Sequence, residues 1–351
     1  MIQALARYWS TGYDWRQCEA KLNALSQFIT EVDGLDIHFI HIRSKHENAL
    51  PLIVTHGWPG SIIEQLNIIG PLTNPTAHGG NASDAFHVVI PSLPGYGFSG
   101  KPSSPGWNTD RVARAWDTLM KRLGYSRYVS QGGDWGARVA EAQARQAPQG
   151  LLGIHINLLL NFPPDIARGI AAGAPAPAGL SEQEKSAYDQ RKALSLGYLL
   201  EQARRPQTIG YSLADTPVGL AAWLLDHDPH SYEQITHVFE GHPEGRLTRD
   251  AILDNITLYW LTNTAASAAR LYWENTRIVY QGEVAAVPTA FTVFPGEIWR
   301  APRSWVEKTY RNLIYFNEVD QGGHFAAWEQ PDLFATEVRA AFRSLRQGST
   351  E

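Results

Sequence analysis

The sequence predicts an α/β fold, a doubly wound and mostly parallel sheet with an inserted helical lid. Three observations carry this. Short β-branched runs, Leu52-Ile53-Val54 and Phe86-His87-Val88-Val89-Ile90, end in Gly/Pro turns, as strands buried on both faces do. Helical patterns alternate with such runs as far as residue 158. The alternation then breaks after Asn161 and resumes only at Thr289.

Taken in order, residues 1–30 read as helical. Residues 33–44 read as a strand, because Leu35, Ile37 and Phe39 alternate with Asp36, His38 and Ile40. A helix over 109–123 precedes a short strand at 128–130, a helix over 137–147 and a strand over 152–158. The Ala/Gly/Pro stretch at 171–180 reads as a linker, and the small residues of 168–180 suggest a mobile hinge. Ser181-Glu182-Gln183-Glu184 has the form of a capping box opening a helix. Thr216-Pro217 opens another, with proline at the first helical position, and a third runs through 252–272. Strands return at 289–294 and 313–319, before a terminal helix over 331–345. The expected division is a core part over 1–162 with a helical arm at 1–30, a helical lid over 163–285, and a second core part over 286–351.

At 351 residues with 44% hydrophobic composition, one large α/β domain carrying an insertion fits better than two independent modules. The net charge of −5 and the lack of a Lys/Arg run point away from nucleic acid and anionic membrane surfaces. A single cysteine, Cys18, excludes an intramolecular disulfide and suits a reducing, cytoplasmic setting. No apolar run reaches the length of a membrane span, and no signal-peptide pattern opens the chain. Aromatic residues at 11% would suit an apolar substrate pocket.

Gly132-Gly133-Asp134-Trp135-Gly136 has the form of a nucleophile elbow with a carboxylate in place of the usual hydroxyl. The elbow needs small flanking residues because the chain turns sharply from strand to helix and strains the nucleophile at its tip. A carboxylate needs no base to activate it and can attack a saturated carbon to form an ester. Water must then attack that ester, and this step does need a base. The same pentapeptide also fits a plain turn in which Asp134 caps the next helix. His324, in Gly322-Gly323-His324-Phe325, lies beyond the last strand, where an elbow fold carries its histidine. Glu297, in the turn after the preceding strand, could fix the tautomer of His324, with Asp320 and Asp165 as rivals. His56-Gly57-Trp58-Pro59-Gly60 follows the strand at 52–54, where one oxyanion-hole N–H is expected. The donors would be the N–H groups of Trp58 and Trp135. Pro59 could be cis to aim the loop, and His56 reads as a residue that orients it.

With these residues in hand, the chain resembles epoxide hydrolases of the α/β-hydrolase superfamily, in the microsomal-type branch. The matching segments are Tyr13-Asp14-Trp15-Arg16, Gly34 to Phe39, His56 to Ser61, Pro91 to Ser99, the elbow and Gly-Gly-His-Phe-Ala-Ala at 322–327. The resemblance implies an α/β-hydrolase core with a helical lid and neither metal nor organic cofactor. It makes Asp134 the nucleophile, His324 the base and Glu297 the orienting acid. It also implies two lid tyrosines that hold the epoxide oxygen, matched here by Tyr198 and Tyr272, with Tyr211 and Tyr259 as nearest competitors. A phenol of pKa about 10 keeps its proton at neutral pH yet is a better acid than the product alcohol. Family members commonly carry a longer N-terminal arm, in some with a membrane anchor, so an anchorless form is expected here.

The expected reaction converts a small, mainly apolar epoxide and water to a diol. Trp58, Pro59 and Trp135 are expected to line the substrate site. A haloalkane or haloacid dehalogenase would use the same Asp-His machinery, and an inactive hydrolase could serve as a binding module. A serine esterase is disfavoured because no Ser occupies the elbow. Oligomeric state is left open, a homo-oligomer included.

Overall fold

Period-two alternation and β-branched runs become one eight-stranded sheet in the computed structural model, which describes residues 1–194, 197–242, 245–275, 284 and 286–346. The strands are β1 (Gln27–Val32), β2 (Leu35–Ile42), β3 (Leu50–Thr55), β4 (Phe86–Pro91), β5 (Tyr128–Gly132), β6 (Leu151–Ile156), β7 (Thr289–Val293) and β8 (Leu313–Glu318). Their order is β1-β2-β4-β3-β5-β6-β7-β8, parallel from β4 to β8 and antiparallel at β1–β2 and β2–β4.

The chain leaves β3 for β4 on one side and returns for β5 on the other. A crevice therefore opens at the carboxyl ends of β3 and β5, the switch point where α/β sheets hold their ligands. Thr55 is paired with Gly132 there, so the loops that follow start side by side. The central strands are dry: Leu52, Ile53, Val54, Tyr128 and Val129 are all fully buried. Each such side chain stabilises the fold by about 1.5–3 kcal/mol relative to exposure. The helix Thr109–Arg122 packs on this centre through Trp116, whose Nε1–H donates to Thr55 Oγ1 at 3.1 Å.

Between β6 and β7 the described residues form helices, from Pro164–Ala171 to Ala265–Glu274, and one isolated bridge from Val284 to Tyr310. The capping box at Ser181 forms, with the hydroxyl accepting from Glu184 N–H, and Pro217 occupies the first turn of Pro217–Leu225. The 171–180 stretch carries no helix beyond Ala171. The expected boundary at 285 and the closing residues 347–351 lie outside the described residues. No described helix is long and apolar enough to cross a membrane.

Three expectations need correction. Residues 1–30 are helical only over Ile2–Thr11 and Trp15–Asn23, because Gln27–Val32 forms a hairpin with β2. Its two-residue turn is Asp33-Gly34, both at positive φ (53° and 78°), the geometry that matches strand twist. The helix expected over 252–272 is two helices, Arg249–Thr262 and Ala265–Glu274. Asn263, left-handed at φ 51°, ends the first. The last helix stops at Ala341, and residues 343–345 form a single 3₁₀ turn.

Candidate active site

Strand β5 delivers Asp134 two residues past its end, at φ 49° and ψ −123°, a conformation costly for a non-glycine residue. Close packing holds it there. A Cβ at Gly132 would collide with the Gly136 carbonyl, and one at Gly136 with the Thr55 carbonyl. Asp134 precedes the helix Trp135–Gln146, but its side chain makes no capping bond. The plain-turn alternative fails on that point. The carboxylate is instead turned towards the loop after β3, where Trp58 N–H donates to its Oδ1 at 2.8 Å. A side chain at Gly57 would overlap the Asp134 carboxylate, so this loop must carry glycine there. Trp135 opens its helix, and an N–H in that first position has no intrahelical acceptor.

The loop itself is held from both sides. The Trp58–Pro59 bond is cis. His56 Nδ1–H donates to Gly57 O at 3.0 Å, and its Nε2 accepts from Leu93 N–H at 3.1 Å. Burial lowers the His56 pKa to about 4, so the ring is neutral and orients the loop, as expected. From the helical layer, Asn255 Nδ2 donates to Pro59 O (2.9 Å) and Tyr259 OH to Gly60 O (2.7 Å). Pro59 itself lines a narrow pocket with Leu224, His227 and Phe325.

A backbone bridge between Gly296 and Gly323 draws the turns after β7 and β8 together. His324 Nδ1 thereby reaches Glu297 Oε1 at 2.5 Å, while Nε2 stands 3.8 Å from Asp134 Oδ2. Asp320 and Asp165 are exposed, which leaves Glu297 as the imidazole's carboxylate. Burial alone would depress His324, yet Glu297, then Asp134 and Asp228, carry its pKa up to about 10.

Tyr198 and Tyr272 come from different helices and meet over Trp58. Tyr198 stacks on the indole (5.0 Å between ring centres), and Tyr272 stands edge-on to Trp58 and Trp135 (5.8 and 4.7 Å). Their rings are 6.2 Å apart. Burial first, then the charge of Asp134, raises both phenol pKa values, so both keep their protons. Of the competitors, Tyr211 is 70% exposed, and the Tyr259 hydroxyl is committed to Gly60. Beside Tyr198 and Glu297 a cavity of about 710 Å³ opens, lined by Leu194 and Ile298 but also by His227, Asp228 and Gln190. That wall is more polar than the aromatic content alone suggests.

Two groups escaped the sequence reading. Glu64 fills the space a side chain at Gly60 would need, and burial lifts its pKa to about 8. His227 lies against His324, with ring centres 4.4 Å apart. Nothing in local periodicity marks either residue, since both reach the site through packing. Among the described residues, Asp134, His227 and His324 are a set whose ligand atoms, within 4.8 Å of one another, could also converge on a metal ion. Chemically the assembly offers a carboxylate nucleophile, a carboxylate-backed base, an N–H on the nucleophile and two protonated phenols.

Comparison with known proteins gives a consistent result. The family model described as "Epoxide hydrolase N terminus" matches residues 1–65, and that described as "alpha/beta hydrolase fold" matches 51–176. A putative epoxide hydrolase of Stigmatella aurantiaca is 53% identical over 98% of this chain and 76% of that protein. Epoxide hydrolase 1 of Sus scrofa is 35% identical, covering 99% of this chain and 80% of that protein. The crystal structure of juvenile hormone epoxide hydrolase from the silkworm Bombyx mori superposes with a TM-score of 0.84 at 31% identity, covering 99% of this chain and 85% of that one.

Proposed function

Because this chain belongs to the epoxide hydrolase family within the α/β-hydrolase superfamily, we propose that it makes vicinal diols through an alkyl ester on Asp134. The observation that carries the reading is the division of labour at one carboxylate. Oδ1 is held by Trp58 N–H, while Oδ2 is free to attack and faces His324.

In the first step Oδ2 attacks one epoxide carbon and the ring C–O bond breaks. The alkoxide takes a proton from Tyr272 or Tyr198. In the second step His324 removes a proton from water, whose oxygen adds to the ester carbonyl carbon. The oxyanion forms on Oδ1, already in contact with Trp58 N–H and beside that of Trp135. Such preorganised donors are worth about 2.7–4 kcal/mol each where they have been removed. The bond from the carbonyl carbon to Oδ2 then breaks, and His324 returns its proton to the departing oxygen. The carboxylic acid left on Asp134 restores the phenol. Glu297 is the larger charge holding the His324 proton and Asp134 the next; alkylation removes the Asp134 charge, so the ring gives its proton to solvent more readily before it acts as base.

The test is His324→Gln. Alkylation proceeds and hydrolysis stops, so intact-protein mass spectrometry after incubation with styrene oxide should find one adduct of the epoxide's mass on Asp134. A variant that stays unmodified yet still turns styrene oxide into diol would remove His324 from the base role.

A further inference from the structure

We propose that His227 is a positioning residue for the hydrolytic water, an inference that rests on the covalent route above. His227 immediately precedes Asp228, the N-cap of the helix Pro229–Glu240. Asp228 uses one oxygen for the cap, accepting from Ser231 N–H at 2.9 Å, and the other for His227 Nδ1–H, also at 2.9 Å. The helix start that sets the backbone therefore also sets the tautomer. In the neutral ring Nδ1 carries the proton, and Nε2 is left with its lone pair as an acceptor.

That Nε2 is buried and has no hydrogen-bond partner among the described residues. By contrast, His38 and His56, also buried, use both ring nitrogens. An unmet acceptor in a dry site is costly and calls for a partner. The walls around His227 are aromatic, with Tyr198 at 5.2 Å, Phe325 at 5.9 Å and Trp58 at 6.0 Å between ring centres. Ser231 and Asn255 border a pocket with His227, and the reacting groups are within reach as well. A nitrogen of His227, a nitrogen of His324 and a carboxylate oxygen of Asp134 lie within 4.8 Å of one another. Gaps of that size suit one oxygen atom at about 2.8 Å from each.

A water there donates one proton to His324 Nε2 and the other to His227 Nε2, which leaves a lone pair for the Asp134 ester carbon. His324 takes its proton outright and the new C–O bond forms. The proton on the His227 side remains on the attacking oxygen and ends on the regenerated Asp134 carboxyl group. His227 thus aims the water without changing its own charge, and the first step, which uses no water, does not need it.

Rapid-quench mass spectrometry with styrene oxide separates the steps. In His227→Phe, which keeps a flat ring but no acceptor, ester formation should stay within about threefold of wild type while hydrolysis slows about 10- to 100-fold. Ester then accumulates, and kcat and KM fall together with kcat/KM held. His227→Gln, which restores an acceptor, should recover part of the hydrolytic rate. Unchanged hydrolysis in the Phe variant, or equal slowing of both steps, would overturn the assignment. Failure of the covalent route reads differently, since the adduct is then also missing from the His324→Gln protein.

Discussion

Around His324 burial and charge oppose each other, and charge prevails. The buried imidazole would titrate low but for Glu297 at 2.5 Å and Asp134 at 3.8 Å. Replacing Glu297 with Gln removes the larger of these charges, so the imidazole should titrate below about 10, as NMR can follow. Without its tautomer fixed, kcat should fall about 10²- to 10⁴-fold. The sign for stability follows from linkage. A group raised from 6.5 to about 10 contributes fully below pH 6.5 and loses that contribution as pH climbs through 10. Urea unfolding should therefore separate Glu297→Gln from wild type most at pH 6 and least near pH 10. A gap that widens with pH would contradict the pairing. The acid's position illustrates how far the sequence could be read. Glu297 was expected after β7 with Asp320 as a rival, and the Gly296–Gly323 bridge is what brings Glu297 to the imidazole.

The elbow works as a unit of strand, turn and helix because its glycines let three backbones touch. Gly136→Ala would drive a methyl group into the Thr55 carbonyl at the end of β3. Over-packing of this kind costs about 1–3 kcal/mol, visible as a lowered Tm by calorimetry. Asp134 should move with the displaced helix, and diol formation should be lost with it. An alanine variant of wild-type stability and activity would mean the glycines are dispensable. Among the elements, those set by local chemistry were legible: the capping box at Ser181, the proline start at Pro217 and the strands of the sheet from β2 onward. The hairpin turn at Asp33-Gly34 carries its signal too, yet the helical reading of 1–30 covers most of the strand that precedes it. At Asn263 the apolar pattern continues across the break, and only the left-handed residue divides the two helices.

The whole molecule brings distant parts of the chain onto one crevice. Asn255, in the helix Arg249–Thr262, reaches back 196 residues to the Pro59 carbonyl and accepts from the Ser61 hydroxyl at 2.7 Å. Asn255→Ala should cost about 1–3 kcal/mol through the buried groups left unpaired. Because the same loop aims Trp58 N–H at Asp134, kcat/KM should also drop about 10- to 100-fold. Denaturant titration and steady-state kinetics on one preparation read both effects. Lost stability with unchanged kinetics would make the helix a brace without influence on the loop's aim.

The sheet class, the elbow and the histidine loop were readable from residue order because each rests on a local steric need: two glycines about a strained tip, a β-branched run, a turn after a strand. The acid had rivals in the sequence and the phenol pair was named only through the family resemblance; their meeting, like the arrival of His227, was decided by tertiary structure. Their partners lie on other strands and helices, brought together by sheet register and by the packing of helices over the crevice, and no local periodicity encodes which side chain arrives there.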